Sequence, residues 1–322
     1  MYFCLLKISK NEVVKKLFVL IMIIFLFSCK SKQVASYPNE MTYAEFTKQQ
    51  KSFKTEQGIV NYIDKGQGKV ILLLHGIPTS GWLYRKMIDP LVVNGYRVIV
   101  PDMLGFGNSD SPKNYDTYMP AEHGKRLIDL MNSLEIENWT QVSHDVGGLC
   151  TWEVFTQAPN RINNLIVLNS IIYEEGFHPP IRQKKGAMTK FGLSLYRSKL
   201  TNKMIMNGLF RNALMKNNLS KVGVEGYRKP LLDGKTSALY TFFSSTCNAL
   251  PDYSETIKKI NIPTMVIWGK HDKMLRWKPM SERVIKDLKI KEENIHILEA
   301  KHFVQEEKPE EIVAFISRFL DN

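Results

Sequence analysis

A chain of 322 residues that is 44% hydrophobic and 24% charged can bury a full-sized core in one or two domains, which excludes a disordered protein. The formal net charge is +12, but the Lys residues are scattered among Glu and Asp and no nucleic-acid motif accompanies them. The excess therefore describes a lysine-rich solvated surface, attracted to anionic membrane rather than to nucleic acid.

In chain order, Lys7, Lys10, Lys15 and Lys16 precede an unbroken apolar run over 17–27, which ends at Ser28-Cys29. A bilayer needs about 20 apolar residues, so the run is too short to span one and has the length of a signal-peptide core. The sequence Leu26-Phe27-Ser28-Cys29 resembles a bacterial lipoprotein signal. That resemblance implies cleavage before Cys29, lipidation of its thiol, and a place in the cell envelope at a membrane surface. Residues 1–28 are read as the leader and 29–50 as a polar tether.

From Ser52 onward, apolar runs of strand length alternate with segments of helical period. Runs at 70–74, 96–100, 140–143, 165–168, 264–268 and 295–298 predict buried strands, and 122–134 and 310–320 predict helices. This alternation predicts an α/β fold with a mostly parallel, doubly wound sheet, its two parts at 51–170 and 254–322. The stretch 171–253 is rich in Lys, Met, Gly and Tyr and lacks strand runs, which predicts a helical insertion capping the sheet. Of the four Cys, only Cys150 and Cys247 lie in this body, so at most one internal disulfide is expected.

Ser143 and Gly147 flank Asp145 by two residues on either side, between a predicted strand and a helix. That is the spacing of a nucleophile elbow, whose tight turn admits only small neighbours. Its central residue here is Asp rather than Ser; an Asp that caps a helix after a glycine-rich turn gives the same local pattern. The turn His75-Gly76-Ile77-Pro78 follows the strand at 70–74. The backbone N–H groups of Ile77 and of Val146, the residue after the elbow, are the expected oxyanion-hole donors. The loop Asp102-Met103-Leu104-Gly105-Phe106-Gly107 also ends a strand, where open α/β sheets bind ligands. Asp272 follows the strand at 264–268, and His302 lies between the last strand and the last helix. The chain order is thus Asp145, Asp272, His302: nucleophile, acid, base. The other place for the acid, after the strand at 165–168, holds Asn169. No glycine-rich phosphate loop or ligand-spaced His pair is present, so neither a cofactor nor a metal is expected.

The segments 72–80, 101–110, 142–148 and 302–311 closely resemble the haloalkane dehalogenase and epoxide hydrolase group of α/β-hydrolases. Mesoderm-specific transcript-like proteins are similar as well, and the resemblance runs over roughly residues 52–320. It implies an α/β-hydrolase fold and a small hydrophobic substrate attacked at a saturated carbon by Asp145. His302, held by Asp272, would then drive water onto the resulting ester. The resemblance also implies which residues should hold the leaving group. Dehalogenases of the group use a Trp after the nucleophile and an Asn or second Trp elsewhere; Val146 and Ile77 stand there in this chain, and neither side chain donates. Trp82 or a residue of the insertion would have to substitute. Epoxide hydrolases use two cap tyrosines, and Tyr196 and Tyr240 fall near their expected places. Epoxide hydrolysis is therefore the first expectation and dehalogenation the second. A weakly catalytic member that binds a lipid or small hydrophobic ligand is the third.

Overall fold

The computed structural model describes residues 40–216 and 218–321, so the leader and the Cys29 lipidation site lie outside the described residues. Eight strands form one sheet: β1 (Lys51–Thr55), β2 (Gly58–Lys65), β3 (Lys69–Leu74), β4 (Tyr96–Pro101), β5 (Trp139–Asp145), β6 (Ile162–Ser170), β7 (Thr264–Gly269) and β8 (Ile295–Leu298). Their order across the sheet is β1-β2-β4-β3-β5-β6-β7-β8. Pairings from β4 through to β8 are parallel, whereas β1–β2 and β2–β4 are antiparallel. Every residue of β5 and β7 is buried, as expected of strands covered on both faces.

The core helices are α1 (Tyr43–Lys48), α2 (Arg85–Val93), α3 (Pro120–Ser133) and α4 (Gly147–Gln157). Four more, α5 (Ala187–Ser194), α6 (Lys199–Ala213), α7 (Lys221–Leu232) and α8 (Ser237–Ser244), fall between β6 and β7 and form the helical insertion. The remainder are α9 (Ser254–Lys259), α10 (Ser281–Asp287), α11 (Val304–Glu307) and α12 (Pro309–Asp321). Among the described residues no helix is long and apolar enough to cross a membrane.

The end of the expected tether is a correction. Residues 43–48 form α1, started by a capping box in which Thr42 and Glu45 satisfy each other's backbone N–H groups. Tyr43 and Phe46 on α1 are buried edge-on against Trp82, so this segment belongs to the folded body. Cys150 and Cys247 are free, buried thiols.

Candidate active site

Asp145 ends β5 with φ +54, a left-handed conformation that lifts its side chain above the sheet edge before α4 begins. The turn is tight on both sides. A Cβ added to Gly76 would lie 2.3 Å from the Asp145 Cβ, and one on Gly147 would lie 2.8 Å from the His75 carbonyl oxygen. The Ile77 N–H donates to Asp145 Oδ1 at 2.9 Å, and the Val146 N–H bonds the same carboxylate. The two expected oxyanion donors therefore both bind the Asp145 carboxylate.

His302 Nε2 is 3.5 Å from Asp145 Oδ2, too far for a hydrogen bond, while its Nδ1 is 2.7 Å from Asp272 Oδ2. All three side chains expected to act together are thus in one line. Asp272 is fixed further by the N–H groups of Met274 and Leu275, which donate to Oδ1 at 2.8 and 3.0 Å. Burial by itself would raise the Asp272 carboxyl. The charge and hydrogen bond of His302, with the Leu275 N–H and the Asn169 amide, outweigh burial and hold its pKa below the ordinary value. Burial likewise opposes a charged His302, but Asp272 and then Asp145 raise its pKa above the usual 6.5. For Asp145 burial prevails: its pKa is raised, although His302 and the Ile77 and Val146 N–H groups pull the other way.

Three residues around this line were given no role from the sequence. Asn169, at φ +34, donates to Asp272 Oδ2 at 2.7 Å and accepts the Gly269 N–H at 2.9 Å. The position considered for a rival acid instead carries an amide that orients the acid on the next strand. His144 Nε2 is 2.9 Å from the His302 carbonyl oxygen, which steadies the backbone of the base. The imidazole of His75 accepts the Met103 N–H on Nε2 at 2.9 Å, so its proton sits on Nδ1, 2.7 Å from the Gly76 oxygen. Burial lowers the His75 pKa to about 4, so it stays neutral and braces the two loops beside Asp145.

The helical insertion is tied to the segment carrying His302. Phe303 N–H donates to the Ala213 oxygen at 3.0 Å, Lys301 Nζ to the Arg211 oxygen at 2.7 Å, and Met215 N–H to Glu307 Oε1 at 2.6 Å. Tyr227 of α7 stacks on Phe303 with a centroid distance of 5.8 Å and donates to Glu306 at 2.5 Å.

A cavity of about 20 Å³ lies against Ile77 and Val146, walled otherwise by residues such as Phe106, His123 and Phe242. Neither expected tyrosine is in that wall. Ala238 and Phe242 of α8 do line it, and Tyr240, about half a turn from each, falls on the opposite side. The Tyr240 hydroxyl accepts the Gly186 N–H at 3.0 Å, and its ring packs on Tyr115 at 4.6 Å. Tyr196 is half-buried in a 3₁₀ turn, its pKa pushed up to about 12 by burial, with no hydrogen bond to Asp145. The Trp82 N–H is bound to the Gly223 oxygen at 2.9 Å.

A carboxylate at a strand-to-helix turn, with two N–H groups on it and a buried His–Asp pair beside it, defines a member of the α/β-hydrolase class. The family model described as alpha/beta hydrolase fold matches residues 69–309, and the chain belongs to that family. It is 36% identical over 115 residues to a haloalkane dehalogenase of Mycolicibacterium paratuberculosis, a stretch covering 35% of this chain and 38% of that one. The match thus spans well under half the length of that relative. It is 24% identical over 277 residues to epoxide hydrolase 3 of Xenopus tropicalis, covering 81% of this chain and 74% of that protein. A meta-cleavage product hydrolase from Pseudomonas fluorescens superposes with a TM-score of 0.68 at 23% identity, over 84% of this chain and 97% of that one; there the likeness is one of fold.

Proposed function

We propose that this protein is a hydrolase that uses Asp145 as a covalent nucleophile on a small apolar substrate. The observation that carries this reading is the division of labour at Asp145. The Ile77 N–H holds Oδ1 and the Val146 N–H bonds the same carboxylate, while His302 stands 3.5 Å from Oδ2 and is itself loaded on Asp272. A carboxylate needs no base to attack. Its oxygen forms a bond to a saturated carbon as the bond to the leaving group breaks, giving an alkyl ester. His302 then takes a proton from water as that water adds to the ester carbonyl. The Ile77 and Val146 N–H groups hold the oxyanion; on collapse the ester C–O bond breaks, His302 returns its proton to the departing alkoxide, and the alcohol leaves Asp145 restored.

Epoxide opening was expected to draw on Tyr196 and Tyr240, and neither lines the cavity against Ile77 and Val146. Halide displacement needs hydrogen-bond donors but no transferred proton, and it is the leaving-group chemistry we carry forward.

The test is intact mass after incubating the His302→Gln protein with a mixed panel of alkyl halides and epoxides. Loss of the base should trap the ester. An adduct lighter than its alkyl halide by HX supports displacement of halide, and an adduct of a whole epoxide's mass supports ring opening instead. No adduct from any member overturns the covalent reading. A lipid anchor at Cys29 is part of the same proposal: cells fed labelled palmitate should label the parent protein, and labelling that persists in Cys29→Ser would sink that part.

A further inference from the structure

Halide displacement leaves a departing ion in need of partners, and the donors proposed by resemblance do not supply them. The side chains of Ile77 and Val146 donate nothing, the Trp82 N–H is already bound to Gly223, and Tyr240 faces away. The small cavity against Ile77 and Val146 meets the need differently. At about 20 Å³ it has room for a guest at least the size of a water molecule.

Four side chains in its wall carry an N–H, O–H or S–H group: Tyr118, Cys150, His123 and Thr246. Two of these are committed. The Tyr118 hydroxyl donates to the Pro112 oxygen at 2.5 Å, and Cys150 Sγ sits 3.7 Å from Met103 Sδ. The other two are not. Arg126 donates to His123 Nδ1 at 3.2 Å, and because a guanidinium can only donate, that nitrogen accepts and the proton sits on Nε2. The Nε2–H has no hydrogen-bond partner among the described residues, and neither has the Thr246 hydroxyl. Both residues are buried, His123 at 5% exposure and Thr246 at 4%. Neither donor atom is among the sealed polar atoms that lack a partner, so both stay open to a guest, and a pair of open donors bordering one cavity suits a guest that accepts.

We propose, resting on the Asp145 reading above, that His123 from α3 and Thr246 from the turn that ends the helical insertion are the leaving-group donors, the seat of the departing halide. As an Asp145 oxygen bonds to carbon, the carbon–halogen bond breaks and its electron pair stays on the halogen. The His123 Nε2–H and Thr246 Oγ1–H donate to the resulting ion, and no proton changes hands in this step. Burial, aided by the positive charge of Arg126, keeps the His123 imidazole neutral. It therefore donates a hydrogen bond and has no spare proton for a ring-opened oxygen, which favours halide over epoxide. One donor belongs to the core and the other to the insertion, so the seat is whole only when the two are packed together.

Two measurements test this. Crystals of the protein soaked in sodium bromide should show an anomalous peak in this cavity, in contact with His123 Nε2 and Thr246 Oγ1, and Thr246→Val should lose it. In the His302→Gln background, Thr246→Val should slow ester formation about 10- to 100-fold for a primary alkyl chloride and less for the matching iodide. Thr246→Ser, which keeps the hydroxyl, should restore the rate. A merely structural role would slow all leaving groups alike. His123→Phe should repeat the leaving-group dependence; Arg126 loses a partner in that variant, so Thr246→Val decides if it fails to fold. Ester formation that proceeds equally in the parent, Thr246→Val and Thr246→Ser, with no bromide in the cavity, overturns the donor pair and leaves Asp145 as nucleophile. A bromide peak without ester from any halide overturns the nucleophile and the leaving-group role with it, leaving an anion site. Ester formed from epoxides alone, and slowed in Thr246→Val, overturns halide in favour of oxygen.

Discussion

Asp145→Asn is expected to lower turnover at least about 10⁴-fold while the protein stays folded, because the variant removes the attacking group and little else. The choice of Asn matters. Asp145 sits at φ +54, where Ala would add about 1–2 kcal/mol of backbone strain and blur the comparison. Asn tolerates this conformation and keeps an oxygen for the Ile77 N–H. The same variant has a second readout. Asp145 is among the charges that raise the His302 pKa, after Asp272, so removing it should move the imidazole titration downward by NMR. Activity within tenfold of the parent would show that Asp145 is not the nucleophile. An unmoved His302 titration would show that the two side chains are not coupled as their 3.5 Å separation requires.

Glu306→Gln should cause the largest loss of stability of any single change considered. The Glu306 side chain is 1% exposed and accepts from Arg85, itself 3% exposed, while Lys86 and Tyr227 bind the same carboxylate. Removing its charge leaves the Arg85 guanidinium buried with Glu40, at 3.5 Å, as its one remaining carboxylate among the described residues. Breaking one side of such a pair costs about 3–5 kcal/mol, or about 10 °C in Tm for a domain this large. Burial would raise the Glu306 carboxyl, but the charges of Arg85 and Lys86 outweigh it and its pKa is lowered. A depressed carboxylate pKa contributes stability above its unfolded value and loses it as pH falls through the folded value. The parent and variant should therefore differ at neutral pH and converge in acid, a comparison that urea unfolding at several pH values makes directly. The double change Arg85→Met with Glu306→Leu should recover most of the loss, since replacing both ions removes the unpaired charge. Equal unfolding midpoints for the parent and Glu306→Gln at neutral pH would refute this account.

The parallel sheet was legible because buried parallel strands are short apolar runs: 70–74 and 264–268 announce themselves within β3 and β7. The antiparallel edge was not. In β1 only Phe53 and Thr55 are even half-buried, and its place is set by backbone pairing with β2 rather than by an apolar pattern. The start of α1 had a readable signal in Thr42 and Glu45, but its polar surroundings suggested a tether. At the site, chain order and flanking small residues pointed to Asp145, Asp272 and His302, and the structure brings those side chains together. Asn169, His123 and Thr246 are ordinary residues whose significance depends on what stands opposite them, and a single sequence does not encode that. The tyrosines lie outside the wall of the cavity against Ile77 and Val146 for the complementary reason. Distance along the chain placed Tyr240 near its expected position, but its direction is fixed by the face of α8 that packs inward.

The bonds from Ala213, Arg211 and Met215 to the stretch around His302 make the roof and the base of this chamber one interlock. If the end of α6 lifted to admit a guest, it would drag at Lys301 and Phe303 and disturb the imidazole between them. A chamber opened at that corner would be disarmed, with no aligned base to spend on stray solvent.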